Sequence, residues 1–200
     1  MTGPRLLLAA AVVFGAASLG VDAQQSADWP SYNRTLTSER YAPQSQIDRA
    51  SVARLKVLCT YDVGAPGNFQ TGLIQVGDQL IGTTDTDIFS LDPNTCAEQW
   101  RIREELSRND GLRVNRGAAF LDGRLFRGTP DGRVVAYDAK SGKRLWTTTI
   151  AIQGLPESVP SAPIAWSGMV FAGVAGGDSK GVKGRVYALD AASGKILWEA

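Results

Sequence analysis

Apolar and polar residues alternate in short runs along the second half of the chain, and turn residues separate the runs. In each repeated unit, one alternating stretch is followed by a two-residue turn and a second alternating stretch. Alternation with a period of two is typical of half-buried β-strands, and turns such as Asp122-Gly123 join antiparallel neighbours. The pattern therefore predicts three β-hairpins, at residues 73–84, 118–129 and 162–173.

A second pattern follows each hairpin: an aspartate, a short turn and a tryptophan eight residues after the aspartate. The three copies begin at Asp92, Asp138 and Asp190, so that successive copies lie 46 and 52 residues apart. Each copy also reads as two strands around a turn. One complete unit therefore has four antiparallel strands, and the tryptophans are Trp100, Trp146 and Trp198.

Four-stranded units that recur every 40 to 50 residues are typical of the blades of a β-propeller. We expect each aspartate to accept hydrogen bonds from turn amides and each tryptophan to pack between neighbouring sheets. Gly142 and Gly194 should have positive φ, at the position that Cys96 occupies in the first copy. A β-sandwich with coincidental turns is the alternative, but it does not explain why both patterns recur in all three copies.

Three blades cannot close a ring, because propellers have about four to eight. We therefore predict an all-β chain that is part of a longer propeller, with three blades in residues 65–200. Residues 24–64 form an N-terminal segment, in which the run KVLCTYDVG is expected to be an outer strand that completes the last blade of the closed ring.

Residues 1–23 read as a cleavable export signal with a positive start, a 15-residue apolar run and small residues before Ala23. An apolar run of that length is short for a membrane span of about 20 residues, although an N-terminal anchor helix is the alternative. The mature protein is then expected in the periplasm. In that oxidising compartment Cys59 and Cys96 are expected to form a disulfide rather than a reactive thiol pair.

Composition narrows the possible chemistry. The chain has 21 basic and 20 acidic residues without a basic stripe, which argues against a nucleic-acid partner. It has no histidine, which excludes Ser-His-Asp and Cys-His nucleophiles and metal sites that need imidazole. Any chemistry must use carboxylates, amides, arginines or a bound cofactor.

Three stretches resemble the pyrroloquinoline quinone (PQQ) dependent dehydrogenases, which are periplasmic eight-bladed propellers that oxidise alcohols or sugars. They are DWPSYNRTLTSERYAPQSQID near the start, VNRGAAFLDGRLFRGTPDGRVVAYDAKSGKRLW in the middle and SAPIAWSGMVFAGVAGGDSKGVKG near the end. The resemblance implies a β-propeller of the quinoprotein type, with about three of its eight blades in this chain.

The resemblance also assigns a cofactor site. Arg116 of VNRG matches the arginine that binds PQQ in the family, and a guanidinium suits the carboxylates and quinone oxygens of that cofactor. Gln70 falls where many members have a glutamate near the quinone. The loop after the third hairpin would line the cofactor with Ala175, Gly176 and Gly177. An inter-blade salt bridge for Arg116, and a glycine-rich surface hairpin for the loop, are the alternatives.

Asp178 takes the position of the residue that binds calcium in the family, and a hard cation prefers carboxylate oxygens. Most members have a glutamate there. The sequence also departs at Leu112 and Arg113, where many alcohol-oxidising members have two adjacent cysteines, and at Pro160, where a threonine is common. These differences indicate a divergent subfamily.

The family's catalytic aspartate and its other calcium ligand belong to later blades, so no catalytic residue is assigned here. The resemblance implies the N-terminal part of a periplasmic dehydrogenase that oxidises alcohols or aldoses by hydride transfer to PQQ. A cytochrome c or a quinone would accept its electrons, and this chain alone would be inactive. The alternative is a cofactor-free propeller that acts as a binding or assembly scaffold in the envelope.

Overall fold

A computed structural model describes residues 28–64, 67–108 and 110–200. The predicted export signal, residues 1–23, lies outside the described residues. Within the described ranges the secondary structure is a 3₁₀ turn at Val52–Arg54 and twelve β-strands. In the same part of the chain, no helix has the length and apolar character needed to cross a membrane.

The strands form three four-stranded antiparallel sheets in which strand order follows chain order. The first sheet contains β1 (Ile74–Val76), β2 (Gln79–Thr83), β3 (Asp87–Leu91) and β4 (Glu98–Arg103). The second contains β5 (Ala119–Leu121), β6 (Arg124–Gly128), β7 (Arg133–Asp138) and β8 (Arg144–Thr149). The third contains β9 (Ile164–Trp166), β10 (Met169–Val174), β11 (Arg185–Asp190) and β12 (Ile196–Glu199). The predicted four-stranded units are confirmed.

The predicted tight turns join the first two strands of each sheet. Asp122 and Gly123 have φ values of 49° and 75°, and Ser167 and Gly168 have 49° and 76°. Two consecutive positive φ values are the signature of the turn whose twist matches that of a β-hairpin. The register follows from these turns, with Leu121 opposite Arg124.

The aspartate of each repeat organises the turn between the third and fourth strands. The Asp138 carboxylate accepts hydrogen bonds from the amide and the hydroxyl of Ser141, at 2.8 and 2.6 Å. These bonds to the charged form lower the pKa of Asp138. The positive φ values predicted for Gly142 and Gly194 are confirmed, at 69° and 73°, and Cys96 at the equivalent position also has a positive φ, 58°.

Each of the first two repeat tryptophans packs against the turn glycine of the next sheet. A Cβ atom at Gly142 would lie 2.7 Å from the ring of Trp100, and one at Gly194 would lie 2.6 Å from the ring of Trp146. No side chain fits between ring and turn, so glycine is required there for packing as well as for its φ. The sheets therefore stack as propeller blades do, with an apolar cluster in each of the two interfaces.

The predicted disulfide between Cys59 and Cys96 is confirmed, with 5.8 Å between the Cα atoms. It ties the N-terminal segment to the β3–β4 turn, beside hydrogen bonds that join Tyr61 to Glu98 and Arg101. Residues 56–64 form no strand in the described chain. A strand needs a hydrogen-bonded neighbour, and we expect that neighbour in the last blade, so the closing strand stays a prediction.

Candidate functional site

The predicted cofactor-binding and metal-binding residues lie at one end of the three sheets. Gln70 and Arg116 precede the first strands of their sheets, and the loop at 175–178 follows β10. Because β9 and β10 are antiparallel, the end of β10 lies beside the start of β9. The antiparallel strand order therefore places all of these segments at the same end of the sheets.

Backbone hydrogen bonds join these segments across sheet boundaries. The amide of Gly72 donates to the carbonyl of Arg116 at 2.9 Å, and the amide of Arg116 donates to the carbonyl of Pro160 at 2.8 Å. Ser158 and Ala175 exchange two further hydrogen bonds, at 3.1 and 2.8 Å. The segments next to Gln70, at Arg116 and at the glycine-rich loop are thus held in one continuous layer.

Arg116 is half-buried and lines a cavity of about 500 Å³. One wall of this cavity is the N-terminal segment, residues 30–38, and the others come from β5, β9 and the residues that precede β9. The lining includes three aromatic side chains, Tyr32, Phe120 and Trp166, together with aliphatic and polar residues. The cavity therefore offers a ligand both apolar surface and a cation.

The guanidinium of Arg116 differs from those of three half-buried arginines in the strands. Among the residues that the structure describes, none forms a hydrogen bond or an ion pair with it. Arg101, Arg133 and Arg185, by contrast, each pair with a buried carboxylate. The inter-blade salt bridge that was the alternative for Arg116 is thus absent from the described chain, and a cation at the cavity wall remains available to an anionic ligand.

The glycine-rich loop comes close to the neighbouring backbone. Gly176 has a φ of 129°, and a Cβ atom there would lie 2.9 Å from the carbonyl oxygen of Pro156. Gly177 and Asp178 are exposed, and the Asp178 carboxylate has no hydrogen-bond partner in the described part of the chain. A glycine is therefore required at 176 in particular, because it permits both the backbone angle and the contact.

The residues present fit a metal ion only in part. Asp178 offers a free carboxylate, but the described ranges contain no group of three or more His, Cys, Asp or Glu residues that could hold a metal. A complete calcium shell, which has six to eight oxygen ligands, needs residues beyond these.

The structure brings the predicted residues to one layer but not into one pocket. Of this set only Arg116 lines the cavity, while Gln70 and the 175–178 loop are outside its lining. Gln70 is exposed. The cavity wall formed by the N-terminal segment was not predicted from the sequence, because that segment has no repeat to indicate its partners.

Asn115 is the main residue of this layer that sequence reasoning missed. It is buried, and it hydrogen bonds to groups on both the first and the second sheet, Thr83 and Gly128. The only signal was its place in VNRG beside Arg116.

Buried ion pairs near the same end were also missed. Each third strand begins with a charged residue, and these are Asp87, Arg133 and Arg185. Asp87 pairs with Arg101 and Arg103, and Arg185 pairs with Glu157 at 2.5 Å. The repeated position of these charges was a usable signal.

The pKa of the Glu157 carboxyl shows how these pairs work. Burial raises it, but the hydrogen bonds from Arg185 and from the Ile152 amide outweigh burial, so that its pKa lies below the ordinary value.

Arg127 is fully buried, and its guanidinium donates to the carbonyls of Thr84 and Asp85 on the first sheet. Burial lowers its pKa. Arg127 thus joins the second sheet to the first, and none of these groups lines the cavity.

Comparison with known proteins agrees with this geometry. The sequence profile of the PQQ glucose/ethanol/alcohol dehydrogenase β-propeller domain matches residues 29–200. Quinohemoprotein alcohol dehydrogenase ADH IIB of Pseudomonas putida is 32% identical over 96% of this chain and 30% of its own length. The dehydrogenase subunit of the quinone alcohol dehydrogenase of Acetobacter aceti is 36% identical over 86% of this chain and 24% of its own.

Among solved structures, quinohemoprotein alcohol dehydrogenase ADHIIG from Pseudomonas putida HK5 superposes with a TM-score of 0.82 and 30% identity. The match covers 86% of this chain and 26% of that one. The chain thus spans about a quarter to a third of the length of the relatives it matches.

Proposed function

The chain belongs to the β-propeller family of PQQ glucose, ethanol and alcohol dehydrogenases, and we propose that it forms one side of the PQQ site in a dehydrogenase that oxidises alcohols. The observation that carries this proposal is the guanidinium of Arg116, which has no partner in the described chain and lines a cavity that also contains three aromatic side chains. PQQ is a flat quinone with three carboxylates, so it needs both a cation and an apolar surface.

The remaining residues have supporting roles. When bound, PQQ supplies the quinone that accepts hydride from the alcohol. Arg116 would hold its oxygens, and the backbone of Ala175, Gly176 and Gly177 would approach it closely because of the glycines. Gln70 would contribute an uncharged amide near the same edge.

Asp178 would bind a calcium ion beside the cofactor, together with ligands from later blades. An aspartate is one methylene shorter than the glutamate that most members of the family have there. The two curated relatives described above are alcohol dehydrogenases by name, which favours alcohols over aldoses as substrates here.

The proposal also includes a cellular compartment and an electron acceptor. Residues 1–23 would direct export to the periplasm, where the disulfide between Cys59 and Cys96 would persist. Electrons would leave to a periplasmic cytochrome c or a quinone. The catalytic base is expected outside this chain.

The test is PQQ binding by the full-length protein, measured by titration with and without calcium. Arg116→Gln should raise the Kd about 10- to 100-fold, because a charge-assisted pair is lost. Arg124→Gln is the matched control, since Arg124 lies at the opposite end of the sheet beside the β5–β6 turn. Asp178→Asn should reduce the calcium dependence.

Dye reduction with a panel of alcohols and aldoses then tests the reaction and its substrate class. A wild-type protein that binds no PQQ would contradict the proposal and favour the envelope scaffold instead.

A further inference from the structure

The Asn115 side chain makes three hydrogen bonds within the layer that contains Arg116. Its relative exposure is 1%. Its carbonyl oxygen Oδ1 accepts from the Thr83 hydroxyl at 2.6 Å and from the Gly117 amide at 2.9 Å. Its Nδ2 donates to the carbonyl of Gly128 at 2.8 Å. One side chain therefore joins the ends of β2 and β6 to the start of β5.

The network continues to the segment that carries Gln70. The hydroxyls of Thr71 and Thr83 lie 2.8 Å apart, and the Thr83 amide also donates to the Thr71 hydroxyl at 3.3 Å. Thr71 follows Gln70 directly. The same hydrogen bonds thus position the residues before β1 and before β5 relative to each other.

The backbone of Arg116 is held on both sides. Its own amide and carbonyl bond to Pro160 and Gly72, and the next amide, that of Gly117, bonds to Asn115. Gly117 has a φ of 128°, and a Cβ atom there would lie 2.7 Å from the carbonyl oxygen of Gly72. Only glycine fits this junction, which leaves the Arg116 backbone in one place.

The Arg116 side chain has no such restraint, because within the described ranges its guanidinium has no partner. Its direction must therefore come from the backbone that carries it. A long, flexible side chain loses conformational entropy when it binds a ligand, and a fixed starting point reduces that loss.

We propose that Asn115 is a positioning residue that directs Arg116 towards the cavity described above, so that a planar polycarboxylate meets a cation whose backbone is already fixed. This inference rests on the proposed function, in which that ligand is PQQ. Asn115 itself does not touch the ligand in this arrangement. Its effect on binding passes mainly through Arg116.

A double-mutant cycle in the full-length protein tests the inference, with the Kd for PQQ as readout. Asn115→Ala should raise the Kd about 10-fold in the wild-type background and by less than about 2-fold in the Arg116→Ala background, because coupled residues are non-additive. Thr129→Val is the structural control. It removes a buried hydroxyl that bonds Asp131 at 2.6 Å near the same end, and it should lower stability without changing the Kd.

A second variant covers the case in which Asn115→Ala does not fold. Thr83→Val removes the hydroxyl that donates to Asn115 and keeps Asn115 itself, and it should raise the Kd about 3-fold. Equal effects of Asn115→Ala, or of Thr83→Val, with and without Arg116 would overturn the positioning role.

Amide hydrogen exchange gives a readout that needs no ligand. The Gly117 amide should exchange at least about 10-fold faster in Asn115→Ala and at the wild-type rate in Thr129→Val. Unchanged exchange at Gly117 in Asn115→Ala would overturn the positioning role whether or not PQQ binds. A wild type that binds no PQQ overturns the proposed function, and with it the ligand named here.

Discussion

The two interfaces between neighbouring sheets have the same geometry but different chemistry. At the first, Glu104 follows β4 and is buried against the second sheet, where it accepts hydrogen bonds from Tyr137 at 2.9 Å and Arg133 at 3.2 Å. At the second, Ile150 follows β8 at the corresponding place and packs in an apolar cluster with Val159. At this equivalent position the first interface has a buried carboxylate and the second has an aliphatic side chain.

The comparison shows that tryptophan packing is common to both interfaces, whereas the residue four positions after the tryptophan differs in chemistry. A buried ionic group is often no more stabilising than an apolar one of similar size. The two groups need different surroundings, because the buried Glu104 carboxylate needs hydrogen-bond donors at defined positions on the neighbouring sheet. Ile150 requires only a surface of matching shape. We therefore expect the first interface to be the more sensitive to single substitutions.

The largest expected effect is the loss of Glu104. Glu104→Ala leaves the Tyr137 hydroxyl without its acceptor and removes one of the partners of Arg133. The cost of breaking a buried pair is roughly 3–5 kcal/mol. Arg133 keeps its pair with Asp131 at 2.9 Å, so we expect the lower end, about 3 kcal/mol in the free energy of unfolding. Urea denaturation of the full-length protein measures it.

Glu105→Ala is the matched control for that change. Its side chain is exposed and only its backbone carbonyl contacts Arg133, so the free energy of unfolding should change by less than about 0.5 kcal/mol. A similar loss in both variants would mean that the buried carboxylate is not what makes the first interface sensitive.

A smaller effect separates the two docked tryptophans. The indole N–H of Trp146 donates to the carbonyl of Ala191 at 3.1 Å. That of Trp100 is buried and has no partner in the described part of the chain. Trp146→Phe should therefore cost about 1 kcal/mol more than Trp100→Phe, the net value of one hydrogen bond. Equal losses in thermal or urea unfolding would show that the hydrogen bond adds nothing to ring packing.

The smallest expected effect is the contribution of Asp131 to the loss of stability at low pH. Burial raises the pKa of Asp131, but hydrogen bonds from Arg133, Thr129 and Ser107 outweigh burial and lower it from the ordinary 3.8. A depressed folded pKa stabilises the protein above the unfolded pKa, and this contribution disappears as the pH falls through the folded value. The wild type should therefore lose stability below about pH 4.

Asp131→Asn should have a lower Tm at neutral pH and a shallower fall in Tm from pH 5 to pH 3, since the titrating group is gone. Glu105→Gln provides the comparison, because it removes an exposed carboxylate of the same charge. Parallel Tm curves for wild type and Asp131→Asn would contradict this assignment of the acid sensitivity.

Most of the fold was predictable because it depends on local rules. Alternating apolar residues and the Asp122-Gly123 turn specify hairpins by backbone geometry alone, and the aspartate–tryptophan repeat specifies their number. The disulfide was predictable because the chain has only two cysteines and an oxidising compartment was expected. Residues 56–64 show the limit, because a strand at a sheet edge depends on a partner that local sequence does not name.

The candidate site was predictable only where a motif carried it. Arg116 was found through VNRG, but the role of Asn115 in the same motif was not, since a buried amide in a loop has no periodic signal. The alternatives for Arg116 were separated only by the absence of an ion pair among the described residues.

The sequence by itself determined the sheets, their turns and the family, because these follow from residue type and spacing along the chain. Only the tertiary structure decided that the N-terminal segment forms one wall of the cavity beside Arg116. It also decided that Asn115 joins two sheets, and that Glu104 and Ile150 occupy equivalent places. The physical reason is that each of these facts is a contact between residues distant along the chain, and such contacts arise only when the sheets stack.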